Sequence, residues 1–146
     1  MPDEPPLAVL MFIAHRATET RVLAALAAAG IDDITPAQAR ILARINPGGT
    51  RLSELAEAAQ VTKQTAGYLV DQIQAAGYVE RTPDPADARA RLVRLTAKAE
   101  ALLPVAAAAV AEVEAEWTAH LGKRRMDQLR DSLARLREIT DPYLDR

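Results

Sequence analysis

Polar and basic side chains recur between residues 53 and 91 in an order that could bind a nucleic acid. They are Ser53, Thr62, Lys63, Gln64, Thr65, Gly67 and Tyr68, followed by Arg89 and Arg91. Glutamine can pair with two atoms of adenine, and threonine can contact the thymine methyl group. Lysine and the free amides of a first helical turn can hold a phosphate. Arginine can enter a narrow minor groove. These residue types predict contacts to the bases and backbone of double-stranded DNA.

A pair of short helices is predicted to position the first group of side chains. Ser53 is expected to cap a helix over residues 54–59, because serine readily accepts hydrogen bonds from first-turn amides. After a turn, Thr62 is expected to cap a second helix over residues 63–76, which Gly77 ends. The spacing predicts a helix-turn-helix.

The second helix divides into two faces when its residues are placed 100° apart. The apolar face is predicted to pack inward and consists of Ala66, Leu69, Val70 and Ile73. The opposite face presents Lys63, Gln64, Thr65 and Tyr68, and Gly67 beside it would let the backbone approach a partner closely. The alternative interpretation of this face is an ordinary solvated surface.

Two strands are predicted after the helices, near residues 78–82 and 91–95, joined by a loop from Pro83 to Ala90. Within residues 81–94, four arginines against two aspartates give a balance of 4 − 2 = +2. This strand-loop-strand unit is a wing, and Asp87 is expected to orient it by pairing with Arg89 or another arginine. The alternative is a surface ion pair of little energetic consequence.

Long helices are predicted on both sides of this module. Residues 7–29 form one helix that is apolar on nearly every face, which favours burial in a subunit interface. Thr35 is expected to cap a helix that runs to about residue 45. Thr96 is expected to cap another that continues to residue 120, with Pro104 kinking it or shifting its start. A last helix over 123–140 carries a coiled-coil-like stripe of Met126, Leu129, Leu133 and Leu136, extended by Tyr143.

Composition narrows the class of protein. The chain has 146 residues, 49% of them hydrophobic, a net charge of −2 and no cysteine. Disulfide scaffolds, thiol-based peroxide sensing and cysteine-ligated metals are excluded. Two histidines do not make a zinc site, and no catalytic constellation or phosphate-binding glycine loop is present, so no enzyme, cofactor or metal is expected. The N-terminus is acidic and its apolar run short, so we expect a cytoplasmic protein without a membrane segment.

Three motifs together resemble the MarR (multiple-antibiotic-resistance) family of bacterial regulators. They are ITPAQARIL at 34–42, LSELAEAAQVTKQTAGYLVDQIQAAGYVER at 52–81 and DPADARARLVRLT at 84–96. The chain departs from the family pattern at Ala88, where a first wing arginine is common, and at Ala99, where a glycine commonly follows Leu-Thr. The first departure leaves Arg89 as the matching arginine, and we expect it either to lower the affinity for DNA or to transfer the contact to Arg91.

The resemblance implies one mainly α-helical domain over residues 1–146, with a small β-wing. Residues 35–96 would form the winged helix-turn-helix lobe, and residues 7–30 and 97–146 would be dimerisation helices. It implies a homodimer on a pseudo-palindromic site, and a small anionic or aromatic effector. The residues that could line the effector cleft are Met11, Phe12, His15 and Arg44. The alternative for these four is core packing for the first two and plain surface for the others.

The leading hypothesis is a dimeric transcriptional regulator, a repressor relieved by a small molecule. The alternative is a winged-helix protein-interaction module without DNA binding, which the acidic net charge and Ala88 favour. Salt titration separates the two, because phosphate contacts release counterions and make DNA binding weaken steeply as salt rises.

Overall fold

The computed structural model describes residues 3–142 and residue 144, and shows long helices around a small antiparallel sheet. The helices are α1 (Leu7–Ala28), α2 (Pro36–Leu42), α3 (Leu52–Ala58), α4 (Lys63–Ala75), α5 (Ala97–Glu100), α6 (Leu103–Leu121) and α7 (Lys123–Thr140). The strands are β1 (Thr50–Arg51), β2 (Val79–Asp84) and β3 (Asp87–Leu95). The predicted fold class, mainly helical with a small β-wing, is confirmed.

Helix α2 begins with the predicted capping box. The Thr35 hydroxyl accepts the Gln38 amide at 3.2 Å, and the Gln38 side chain accepts the Thr35 amide at 3.0 Å. The helix ends at Leu42, three residues before the predicted end at 45. Asn46 precedes Pro47, and a residue before proline avoids the helical conformation, so the chain unwinds ahead of the turn.

The core lies inside the winged helix-turn-helix lobe, where α2, α3 and α4 pack on the sheet. Its buried side chains are Ile41, Ile45, Leu55, Ala56, Ala66, Leu69, Val70, Ile73, Tyr78, Val79, Val93 and Ala99. All four residues predicted for the inward face of α4 are among them. The 3.6-residue period therefore identified the buried side of this helix correctly.

The sheet corrects the predicted bounds of two strands and of the loop between them, and adds a third strand. Its order is β1-β3-β2, and β1 was not predicted because it spans only Thr50 and Arg51. The strands β2 and β3 are longer than predicted, so most of the predicted loop from Pro83 to Ala90 belongs to them and only Pro85 and Ala86 form the turn. Proline is tolerated within β2 because β2 is an edge strand, where a missing donor breaks no interior ladder.

Gly49 allows β1 to approach β3. Its φ is +94°, and a Cβ atom there would lie 2.8 Å from Cγ of Arg94 and 3.0 Å from Cβ of Leu92. Any side chain would combine a strained backbone with a steric clash. Gly49 is thus required by the sheet as well as by the turn, whereas a Cβ atom at Gly48 would meet no neighbouring atom.

The helix predicted from Thr96 to residue 120 is divided in two. Thr96 caps α5, which ends at Glu100, and α6 begins at Leu103 with Pro104 in its first turn. Proline suits that position because first-turn amides have no intrahelical acceptor. The prediction that Pro104 would shift the start of the helix is confirmed.

Tyr78 joins the segment between α1 and α2 to the end of α4. Its buried ring lies 4.3 Å from Nζ of Lys98, and its hydroxyl donates to Oδ1 of Asp33 at 2.5 Å. Burial, and then the hydrogen bond to Asp33, raise the pKa of Tyr78 to about 12. The phenol is therefore held in its protonated, donating form.

The terminal helices pack on each other but leave apolar side chains exposed. Arg21 of α1 donates to both carboxylate oxygens of Glu116 on α6, at 2.8 and 3.0 Å. The exposed apolar residues are Leu7, Val9, Leu10, Met11, Phe12 and Ile13 on α1, and Leu129, Leu133, Leu136 and Ile139 on α7. Tyr143, predicted to extend the α7 stripe, lies outside the described residues. In the part of the chain that the structure describes, no helix is long and apolar enough to cross a membrane.

Candidate nucleic-acid interface

The first turn of α4 is organised by two threonines. The Thr62 hydroxyl accepts the Thr65 amide at 3.0 Å and donates to the Thr65 hydroxyl oxygen at 2.9 Å. The hydroxyl hydrogen of Thr65 therefore remains available to donate outward, while that of Thr62 is used within the turn. Of the two predicted DNA contacts, the geometry suits Thr65 to direct contact and Thr62 to positioning.

The outward face of α4 carries the side chains predicted for base recognition. Lys63, Gln64 and Thr65 are exposed, and Tyr68 is 64% exposed. Gly67 is half-buried, and a Cβ atom at Gly67 would lie 3.7 Å from the side chain of Leu52, an ordinary contact. The fold therefore does not require glycine at this position, and the predicted role of Gly67 in close approach of a partner stays a prediction.

The wing and the helix-turn-helix border one open cleft of about 410 Å³. Four of the predicted site residues line it: Ser53, Lys63, Arg89 and Arg91. They come from α3, the start of α4 and β3, which are distant in sequence. The structure thus brings Ser53 and Lys63 together with the wing arginines on one positively charged surface, whereas Thr62, Gln64, Thr65, Gly67 and Tyr68 do not line the cleft.

Ser53 does not cap α3, so that prediction is wrong. The helix starts at Leu52, Arg51 occupies the N-cap position without a side-chain cap bond, and Ser53 lies in the first turn with its side chain exposed. The short strand β1 sets this start, because it places Thr50 and Arg51 in the sheet directly before the helix. Ser53 still faces the cleft, where its hydroxyl can reach a partner.

The charges at the tip of the wing are paired differently from the prediction. The Asp87 carboxylate accepts the backbone amide of Arg89 at 3.0 Å, rather than an arginine side chain. The ion pair is formed by Asp84 with Arg51, whose Nη2 lies 2.7 Å from Oδ2 of Asp84. The backbone amide of Ala86, and then Arg51, hold the pKa of the Asp84 carboxyl below its usual value.

Sequence reasoning missed Arg51, Arg81 and Asp84 in this cleft region. Arg81 donates to Asp71 at 2.8 Å and also to Gln74, so the wing base is tied to the end of α4. The run Asp84-Pro85-Ala86 was a usable signal, because an aspartate before a turn commonly accepts the amide two residues later. No such signal marks Arg51, whose partner is 33 residues away.

A second cleft, of about 220 Å³, lies between α1 and α2. His15 and Arg44 of the predicted effector residues line it, together with Glu19 and Arg40, whereas Met11 and Phe12 are on the exposed part of α1 and do not. The Glu19 carboxylate accepts from Nε of Arg40 at 3.0 Å and lies 3.5 Å from Nε2 of His15. The hydrogen bond from Arg40 holds the pKa of Glu19 below its usual value.

Comparison with known proteins identifies relatives over nearly the whole chain. A sequence model of the MarR family matches residues 32–90. A transcriptional regulator from Thermotoga maritima is 31% identical, with 93% of this chain and 94% of that chain covered and a TM-score of 0.62. A MarR family protein from Mycobacterium tuberculosis, solved with salicylic acid, is 28% identical, with coverages of 93% and 99% and a TM-score of 0.66. NadR, solved with 4-hydroxyphenylacetate, is 26% identical, with coverages of 93% and 95% and a TM-score of 0.70. No curated protein matches by sequence.

Proposed function

Because this chain belongs to the MarR family of DNA-binding transcriptional regulators, we propose that it acts as a homodimeric repressor of a pseudo-palindromic operator. The proposal places its activity in the cytoplasm, with chromosomal DNA as the partner. The observation that carries it is the cleft shared by α4 and the wing, where Lys63, Arg89 and Arg91 meet on one face. Two such faces, about 34 Å apart, would match successive turns of a DNA duplex.

The recognition scheme assigns the major groove to α4. Gln64 and Thr65 read base edges, Tyr68 and Gly67 border the groove, and Lys63 binds a phosphate near the helix N-terminus. Ser53 adds a backbone contact from α3. This assignment rests on the exposure of these side chains and on the capped first turn, which fixes where they point.

The wing is assigned to the adjacent minor groove. Arg89 and Arg91 project from β3, and among the residues that the structure describes neither forms an ion pair. An arginine without an internal carboxylate partner is available for the negative potential of a narrow A·T-rich groove. Asp87 supports Arg89 by holding its backbone amide.

The dimer is assigned to residues 7–30 and 97–146. The apolar stretch over residues 7–13 and the α7 leucines leave large apolar side chains exposed in rows, and such apolar surfaces mark sites of association. A second copy of the same chain supplies matching apolar surface, because the two helices then cover each other. Residues 35–96 would be the DNA-binding lobe of each copy.

The effector is assigned to the cleft between α1 and α2. Two relatives were solved with salicylic acid and 4-hydroxyphenylacetate, which are aromatic carboxylates. His15, Arg40 and Arg44 line this cleft beside apolar side chains, a combination that suits an aromatic anion. The ligand would shift the population of DNA-binding and non-binding arrangements of the dimer.

The test is selection of bound fragments from the source genome, followed by titration of the selected operator with three variants. Arg89→Ala should weaken binding to all sequences and lower the salt slope by about 0.9, because the interface loses one positive charge that displaces a counterion from the DNA. Gln64→Ala should cost about 1–3 kcal/mol for the preferred base at one position of each half-site and relax the preference there. Arg124→Ala, at an exposed arginine on α7, is the matched control.

Equal affinity for all three variants and the wild-type protein would contradict the recognition scheme. If the wild-type chain binds no genomic fragment even at low salt, the winged-helix protein-interaction module becomes the better interpretation. The net charge of −2 is the observation that favours this second candidate. Retention of a protein partner under the same conditions would then support it.

A further inference from the structure

The ion pair between Arg51 and Asp84 connects the helix-turn-helix to the tip of the wing. Arg51 ends β1, directly before α3, and Asp84 ends β2 at the wing turn. Both Nε and Nη2 of Arg51 donate to Oδ2 of Asp84, at 2.9 and 2.7 Å. Because β3 lies between β1 and β2, the arginine side chain has to cross the central strand to make this contact.

The same aspartate also fixes the turn. Its Oδ1 accepts the amide of Ala86 at 2.9 Å, so one carboxylate binds the turn through one oxygen and β1 through the other. The side chain of Asp84 is only 9% exposed, whereas that of Arg51 is 40% exposed. The pairing of β2 with β3 changes register between Pro83 and Asp84. The backbone pairing of the hairpin is therefore irregular next to the tip of the wing.

Arg51 also borders the cleft between α4 and the wing. It lines that cleft with Lys63 on one side and with Arg89 and Arg91 on the other. A two-stranded hairpin is weakly stable by itself, so its angle to the rest of a domain depends on contacts outside the hairpin. In the described residues, Arg51–Asp84 is the ion pair that makes such a contact at the tip, and Arg81–Asp71 makes it at the base.

We propose that Arg51 and Asp84 are positioning residues for DNA recognition. They hold the wing at a set separation from α4, so that Lys63 and the wing arginines reach the two grooves together. Asp84 acts through Arg51 and the turn, without contact to DNA. This inference rests on the proposed function, since it assigns to the pair a role in the same interface.

The test compares Asp84→Asn with Glu80→Gln. Asparagine can still accept the Ala86 amide, so Asp84→Asn removes the charge pair and keeps the turn. Glu80 is an exposed acidic residue on the same strand, so its variant controls for loss of one negative charge beside the DNA. Affinities for the selected operator and for unrelated DNA are measured across a range of salt concentrations. Arg51→Lys is included because it retains the positive charge with a shorter reach.

We expect Asp84→Asn to lower operator affinity about tenfold, the size of one lost groove contact, with affinity for unrelated DNA and the salt slope unchanged. Arg51→Lys should lie between this variant and the wild type. A purely structural role would instead lower the melting temperature and leave the ratio of operator to unrelated affinity unchanged in the folded fraction.

Three outcomes overturn the proposal. The first is that Asp84→Asn and Glu80→Gln show the same ratio of operator affinity to affinity for unrelated DNA. The second is tighter binding with a steeper salt slope, which would make Asp84 a competitor of phosphate for Arg51. The third concerns Arg51→Lys and decides the question if Asp84→Asn does not fold. It is that Arg51→Lys and the wild type show the same ratio of operator affinity to affinity for unrelated DNA. Failure of the wild-type protein to bind any fragment would instead reject the proposed function.

Discussion

The winged helix-turn-helix lobe and the terminal helices differ in how far one copy of the chain buries their apolar side chains. In the lobe, Ile41, Leu55 and Val70 are completely buried within a single copy. On α1 and α7, side chains as large as Phe12 and Leu133 remain 57% and 43% exposed. The lobe therefore closes its core within one copy, whereas the terminal helices leave the apolar surface that the proposed dimer would cover.

The contrast extends to the polar contacts of the two regions. The lobe uses contacts within its framework, such as the Gln38 side-chain amide that donates to Gln72 at 3.1 Å between α2 and α4. The terminal helices carry exposed ion pairs, both within one helix, such as Lys123–Asp127, and between helices, such as Arg21–Glu116. Such pairs add little stability, so they leave the association of the helices to apolar surface.

The largest expected effect comes from placing charge on α7. Leu129→Glu with Leu133→Glu should convert the dimer to a monomer and abolish operator binding, because each change counts twice in a two-fold interface and buries a charge. Analytical ultracentrifugation would measure the assembly, and circular dichroism would check that the lobe stays folded. Ser132→Glu, between the two leucines and exposed, is the control. A double variant that remains dimeric would place the interface elsewhere.

Truncation of a core side chain tests whether the lobe is stable independently of the terminal helices. Leu55→Ala should lower the free energy of unfolding by about 2–5 kcal/mol, since it leaves a cavity in a packed core. The loss should be the same at all protein concentrations, whereas that of Leu133→Ala should grow on dilution because it acts through the dimer. Thermal unfolding over a range of concentrations measures both. A concentration-dependent shift for Leu55→Ala would show that the lobe is not closed within one copy.

The smallest expected effect concerns Tyr78, which links the segment before α2 to the lobe. Tyr78→Phe should cost about 1–2 kcal/mol through the lost hydrogen bond to Asp33. The native pKa of about 12 exceeds the ordinary value of 10.0. The stability that this shift contributes is therefore complete below pH 10 and declines as the pH rises toward 12.

Urea unfolding at several pH values between about 8 and 11 would measure how the free energy of unfolding falls with pH in the wild-type protein. Its absence in Tyr78→Phe is the expected result. Tyr68→Phe is the matched control, because Tyr68 is 64% exposed on α4. An equal loss of stability in both variants would remove Tyr78 as a link between the two regions.

The parts of the fold with local signals were predictable from the sequence. Thr35 and Thr62 are typical N-cap residues and correctly predicted the starts of α2 and α4. The helical period of apolar residues in α4 identified Ala66, Leu69 and Val70 as buried. The shape of the wing was less predictable, because Pro83 resembles a loop residue unless the edge position of β2 is known. Strand β1 was too short to leave a periodic pattern.

In the candidate site, the sequence identified residues that can be recognised by their type and local position, but it did not identify contacts between distant residues. Lys63, Gln64 and Arg89 stood out by type and position. The pairing of Arg51 with Asp84 depends on tertiary proximity across β3, which no local pattern reports. The residues predicted to line an effector cleft show the same limit, since His15 and Arg44 are distant in sequence and meet only because α1 and the end of α2 line the same cleft.

The position of β2 at the outer edge of the sheet bears on aggregation. An open edge strand offers unpaired backbone groups to any other strand, and two copies held close together would bring two such edges near each other. Pro83 removes a donor from this edge, and Glu80 places an exposed charge on it, two features that disfavour pairing with another strand. In the proposed dimer, these features would keep the wing a separate projection on each copy, instead of letting it join its counterpart in a continuous intermolecular sheet.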